Sequence, residues 1–214
     1  YPDLASIKHV YELFFKDIQS RNGTVVYCYD DENVRGVVGR IPELKTRSYG
    51  MSKGADVQLR NEKIVFEDGR EFDLRVGVPG QHNKLNATGV IAVLDQLGHD
   101  VHEVIPLLAD FTGSKLRFEV LYDTPNYTVI NDYAHHPVEI RATLQAVREA
   151  YPQRRVVSIF QPHTVSRTKT FESEFVHEIT QSDCAYVLEI FTSAREQADD
   201  SYTSEEIVKR AHEK

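Results

Sequence analysis

From about residue 116 onward the chain alternates short apolar runs with amphipathic stretches, and this alternation constrains the fold more than any other feature. Tyr127-Thr128-Val129-Ile130 reads as a buried strand, and residues 138–150 carry Ile140, Leu144 and Val147 at helical spacing. Residues 155–160 form a continuous strand pattern, Phe171, Phe175 and Ile179 mark another amphipathic helix, and residues 184–191 return to strand. A further strand over 116–122 precedes this unit, joined to it by the turn Asp123-Thr124-Pro125-Asn126. The order β-α-β-α-β predicts an α/β domain whose sheet is mostly parallel, with right-handed crossovers.

In such a sheet the loops after the strand carboxyl ends gather at one edge, a usual place for ligand chemistry. The first loop is Asn131-Asp132-Tyr133-Ala134-His135-His136-Pro137, with Pro137 suited to the first helical position because its missing amide would have no partner there. The second loop, 161–167, supplies His163 and Arg167, and the third supplies Glu196. Each residue also has a plain structural reading: Asp132 and Tyr133 as turn residues, His136 as a helix cap, Arg167 as a surface cation. Three consecutive loops rich in ionisable groups nevertheless point to a site. A metal centre would use His135, His136 and His163 with Asp132 as an oxygen ligand. The alternative is anion handling, with Arg167 pairing a carboxylate or phosphate, His135 and His163 donating, and Asp132 holding a polar ligand group. The lone arginine and the lack of spaced ligand pairs fit the second better.

The first half reads as a separate region. Ile7, Val10, Tyr11, Phe14, Phe15 and Ile18 form an amphipathic helix ended near Asn22-Gly23. Residues 24–29 read as a core strand running into Asp30-Asp31, a possible metal pair but better read with Asp31 as a helix cap. Residues 45–76 read as short strands and turns, with Asp68-Gly69 a hairpin signal. A turn-rich loop over 77–83 leads to a helix over 86–97 ended by Gly98, then a short helix over 100–111 made irregular by Pro106. His82, Asn83 and Asn86 stand at that helix start, where they either cap the helix or read a purine edge.

The composition is that of an ordinary water-facing globular protein, 41% hydrophobic and 27% charged over 214 residues. A net charge of −8 argues against a broad nucleic-acid surface or an anionic-membrane patch. Cys28 and Cys184 have no metal or redox spacing and read as reduced thiols. No apolar run spans a bilayer and no signal-peptide pattern opens the chain, so a cytoplasmic location is expected. The start at Tyr1, inside a turn before a helix, reads as a piece of a longer protein.

The runs V-P-G-Q-H-N-K-L-N-A (78–87), L-R-F-E (116–119), N-D-Y-A-H-H-P-V-E-I (131–140), F-Q-P-H-T-V-S-R-T (160–168) and the Ala194/Glu196 pair occur in that order. Together they resemble the Mur ligases, over essentially the whole chain. Among these they resemble the members that attach L-alanine to UDP-N-acetylmuramate, with the murein-tripeptide recycling ligases the nearest rival. The resemblance implies the latter part of a central ATPase domain over 1–113, followed by a truncated Rossmann-like C-terminal domain over 114–214. It implies ATP and Mg2+ as cofactors, UDP-N-acetylmuramate and L-alanine as substrates, and a missing N-terminal domain of the same enzyme.

Carried over by position, His82, Asn83 and Asn86 resemble adenine-side residues, Arg117 an arginine reaching ATP phosphates, and Asp132 an acid at the ribose. Tyr133, His135, His163 and Arg167 resemble the group that positions the sugar substrate and the incoming amino acid. No G-[ST]-x-G-K-[ST] phosphate loop is present, so the phosphate cradle and the metal ligands of the family are expected before Tyr1, and the fragment alone is expected to be inactive. Thr164, Val165 and Arg195 replace the arginine, tyrosine and glycine usual in the family. A non-catalytic nucleotide-binding module and a zinc hydrolase built on the histidines are the alternatives from other classes.

Overall fold

The computed structural model describes residues 3–192 and 202–213. It divides into two compact units, one of Tyr1–Gly77 with His82–Thr112, the other of Val78–Gln81 with Gly113–Lys214.

The first unit is built on a five-stranded sheet in sequential order. β1 (Thr24–Cys28), β2 (Lys45–Gly50) and β3 (Val57–Arg60) run parallel, and β4 (Lys63–Phe66) and β5 (Glu71–Asp73) close it as antiparallel strands. Adjacent residues of a strand face opposite sides, and β1 uses both. Val25 packs with Phe15 of α1 (Leu4–Ser20) and Val37 of α2 (Glu32–Val38). Val26 packs against the cluster that contains Ala87, Ile91 and Ala92 of α3 (Gln81–Gln96).

Local signals hold well here. Asp31 caps α2, its carboxylate accepting from the amides of Asn33 and Val34 at 2.8 and 3.1 Å. Asp30 accepts from the amides of Met51 and Ser52, so the pair serves the backbone. Gly69, at φ 89°, turns the β4–β5 hairpin. Asn22, at φ 56°, takes the left-handed position after α1, and the Gly23 amide reaches back to the Ile18 carbonyl at 2.9 Å.

Three expectations for this unit change. Only Phe15 of α1 is fully buried, while Tyr11 and Phe14 remain half exposed, because among the described residues α1 packs chiefly on α2 and β1. The α3 helix begins at Gln81, immediately after Pro79-Gly80, so His82 and Asn83 lie in its first turn and not in a loop before it, and Asn86 is helical as expected. The segment after Asp100 is one α-helical turn, α4 (Val101–Val104), which tightens into a 3-10 stretch, Ile105–Asp110, around Pro106.

Among its described residues the second unit contains two separate ladders. β6 (Glu119–Asp123) and β7 (Thr128–Asn131) form an antiparallel hairpin, and β8 (Val157–Phe160) and β9 (Cys184–Val187) pair in parallel. The expected parallel pairing thus appears in β8–β9, whereas β7 pairs with β6 and shares no ladder with β8. α5 (Pro137–Ala150), α6 (Val165–Thr170), α7 (Glu172–Ile179) and α8 (Glu205–His212) complete the unit. Ile140 of α5, Phe175, Val176 and Ile179 of α7 and Ile207 of α8 pack against Phe160. At roughly 1.5–3 kcal/mol for each fully buried large side chain, this cluster fixes α5 and α7 under β8, and with them the loops at its end.

Candidate functional site

The expected strand over 116–122 starts three residues late, and the delay shapes the site. Leu116 and Phe118 adopt φ values of 59° and 48°, a turn that apolar residues seldom make unaided. Asp132 holds it: one carboxylate oxygen accepts from the Phe118 amide at 2.7 Å, the other from the Ala134 amide at 2.8 Å. The Tyr133 amide donates to the Leu116 carbonyl at 2.9 Å. Arg117 is thereby brought to the Asn131–Pro137 loop. Asp132 keeps lone pairs for a further donor, since a carboxylate has about four acceptor positions. It also lines a cleft of about 630 Å³ whose walls include Ile130, Leu144 and Ser158.

The same loop orders the aromatic side chains. His136 caps α5, and Glu139 answers by accepting from the His136 amide through its Oε2 at 3.1 Å, a reciprocal cap. His135 Nδ1 lies 2.9 Å from the Tyr133 carbonyl, and the two rings meet edge to face at 4.9 Å. Burial opposes ionisation of Glu139, but the His135 amide and ring, the His136 amide and the Arg117 guanidinium outweigh it and hold the carboxyl below its ordinary value.

From the second loop, His163 approaches the His135 ring at 6.4 Å. It stacks on Phe191 at 5.3 Å with the planes 15° apart. The β8–β9 pairing continues past the strand ends to hold this stack. Phe191 donates to the Pro162 carbonyl at 2.8 Å and accepts from the Thr164 amide at 3.0 Å. Arg167 lies on the short helix α6 and not in an open loop. His163 Nδ1 and Arg167 Nη1 are buried with no hydrogen-bond partner among the described residues. Buried polar atoms without partners are uncommon and are what a ligand-binding surface leaves to its ligand.

Thr164, between them, has φ 70° and ψ 135°, an outlier for a β-branched residue. The backbone is trapped there because its amide serves Phe191 while its carbonyl accepts from the Thr168 amide at 3.1 Å. Such strain costs about 1–3 kcal/mol, and a glycine would give back part of it through a floppier unfolded chain. Thr164→Gly is expected to stabilise the protein by about 1 kcal/mol, read from urea denaturation with an unchanged slope. A destabilised variant would show that the backbone is relaxed at this position.

The structure therefore brings together Asp132, Tyr133, His135 and His163 within the second unit, with Arg117 beside Glu139 and Arg167 on the adjoining helix. His82, Asn83 and Asn86 belong to the first unit, the first two half-buried and Asn86 exposed. Ala194, Arg195 and Glu196 lie outside the described residues. Among the described residues no three His, Cys, Asp or Glu side chains converge as ligands for a metal ion, and the shared zinc site drawn from His135, His136 and His163 does not form.

Residues 116–214 match the family model described as Mur ligase, glutamate ligase domain. UDP-N-acetylmuramate–L-alanine ligases of Syntrophobacter fumaroxidans and Salinibacter ruber are 35% and 34% identical over 91% and 100% of this chain. The chain belongs to the Mur ligase family. It spans about half the length of these curated relatives, 43% and 46%. Among solved structures, the UDP-N-acetylmuramate–alanine ligase of Thermotoga maritima matches 95% of the chain and 55% of its own, with a TM-score of 0.67 at 27% identity. A murein peptide ligase of Psychrobacter arcticus shares the fold, with a TM-score of 0.65 at 20% identity over 99% of this chain and 45% of its own.

In this Mur ligase chain two site residues escaped sequence reasoning. Glu139 was legible as the third residue after a cap at His136, the spacing of a capping box. Phe191 had no local signal, since its stack on His163 comes from the strand pairing.

Proposed function

We propose that this chain is part of a UDP-N-acetylmuramate–L-alanine ligase, an ATP-dependent cytoplasmic enzyme of peptidoglycan synthesis. Residues 1–113 are read as the latter part of its ATPase domain and residues 114–214 as its C-terminal domain. The observation that carries the reading is the pair of buried nitrogens without hydrogen-bond partners among the described residues, His163 Nδ1 and Arg167 Nη1, beside Tyr133 and His135, on a chain whose relatives bear that name. In the proposed reaction a carboxylate oxygen of the muramate attacks the γ-phosphorus of ATP, and the bond to ADP breaks. The alanine amine then attacks the acyl carbon, loses a proton, and inorganic phosphate leaves with the former carboxylate oxygen.

This chain's part is positional. Arg167 and His163 bind and orient anionic substrate groups, and Tyr133 and His135 steer the sugar substrate and the incoming amine. Arg117 meets ATP phosphate charge, Asp132 accepts from the ribose, and His82, Asn83 and Asn86 contact adenine. Magnesium enters as the counter-ion of ATP. Among the described residues no group of three His, Cys, Asp or Glu side chains fits it.

The test is phosphate release by the parent protein with ATP and UDP-N-acetylmuramate, supplied with L-alanine or with the murein tripeptide. Release with alanine supports the reading, whereas release with tripeptide alone moves the protein to the recycling ligases. No release with either leaves a nucleotide-binding module. Residues 1–214 by themselves are expected to release no phosphate, because the chain has no phosphate loop.

A further inference from the structure

Glu139 lies in the first turn of α5, where a capping box asks it to satisfy one amide. It does more. Its Oε2 accepts from the His135 amide at 2.9 Å as well as from that of His136, and lies 3.5 Å from His135 Nδ1. Its Oε1 stands 3.9 Å from Arg117 Nη1. His135 Nδ1 thus has two acceptors before it, the Tyr133 carbonyl and this carboxylate. A ring nitrogen facing acceptors alone must carry the hydrogen, whether the imidazole is neutral or charged, and the lone pair of the neutral ring then sits on Nε2. The rings around it are those of Tyr133 and His163, and Glu139 is the carboxylate paired with it among the described residues.

We propose that Glu139 is a positioning residue of the site: its single carboxylate holds the His135 and His136 amides and stands beside the Arg117 guanidinium, and so keeps the His135 ring where the Tyr133 carbonyl takes the Nδ1 hydrogen and Nε2 is offered to the ligand. Carboxylates that orient a functional imidazole act in this way at metal and triad sites, where their loss costs activity through the wrong tautomer. Here the same carboxylate also spans to an arginine from another loop. The geometry stands independently of the reaction, although its catalytic meaning rests on the ligase reading above.

The tautomer is read directly from long-range 1H–15N spectra of this chain with labelled histidine. The wild type is expected to show Nδ1–H at His135, and Glu139→Ala, which frees the His135 amide from its acceptor and lets the ring leave the Tyr133 carbonyl, to raise the Nε2–H population. Since Glu139→Ala also removes a helix cap, Glu139→Gln is the second variant: it retains an acceptor oxygen for both amides and removes the charge. In the parent ligase Glu139→Gln is expected to fold with an unchanged melting point and to lose kcat roughly tenfold. Nε2–H in the wild type, Nδ1–H retained in Glu139→Ala, or a wild-type kcat in Glu139→Gln would each overturn the proposal. A parent without any ligase activity would remove the ligase reading and leave the tautomer to decide this one.

Discussion

Arg167→Ala in the parent protein is expected to lower kcat/KM by about a hundredfold while moving the melting temperature by no more than ~2 °C. The two halves of this expectation have one origin. Arg167 Nη1 is buried and makes no hydrogen bond within the described protein, so removing the guanidinium breaks no bond through that atom. Its desolvation is a standing cost to the fold, which truncation relieves. A ligand carboxylate or phosphate would supply the missing acceptor, and a charge-assisted bond in a partly dry site carries several times the energy of a solvated one. Arg167→Lys tests the geometry, because a lysine restores the charge and not the planar fork. Wild-type kinetics in Arg167→Ala would remove this residue from the site, and a large fall in melting temperature would make it a structural cation.

The largest expected effect on stability lies elsewhere, at the Arg141–Glu178 pair. Glu178 of α7 is 2% exposed, and its carboxylate is held by the Arg141 guanidinium of α5 through two hydrogen bonds, one of 2.9 Å from Nε and a shorter one from Nη2. Arg141→Ala leaves a buried carboxylate without its counter-charge and is expected to lower the urea midpoint, by less than the breaking of a fully buried pair because half of the Arg141 side chain is open to water. Replacing both partners with methionine removes charge and desolvation together, and is expected to restore most of the loss or exceed the wild type. Urea denaturation of the two single variants and the double variant gives the coupling directly. An unchanged urea midpoint in Arg141→Ala would mean that water reaches Glu178 and that the pair behaves as a surface salt bridge.

Much of this fold was legible because its signals are local. Asp31 as a cap, Asp68-Gly69 as a hairpin and Pro137 at the head of α5 each act through backbone geometry within a few residues. The site was legible in part for the same reason: Asp132, Tyr133 and His135 share one turn, and strand order places His163 near them. What the sequence concealed came from pairings between distant segments. Leu116 to Phe118 reads as strand by composition, but the Asp132 carboxylate fourteen residues away bends it into a left-handed turn. Phe191 joined the site through a ladder that outlasts its strand, and Tyr11 and Phe14 fit a buried helix face for which the described residues provide no cover.

The Asp132 clasp has a consequence for how substitutions around it will read in kinetics. By bonding the Phe118 amide and the Ala134 amide at once, one carboxylate ties the segment carrying Arg117 to the segment carrying His135, so the two share a single mechanical fate. Loss of Asp132 would therefore register at several ligand groups together, and its apparent energy would not add to that of Arg117 or His135. A screen that scores each position alone would rank Asp132 as the strongest ligand contact in the loop, when a large share of that score would belong to the joint it closes.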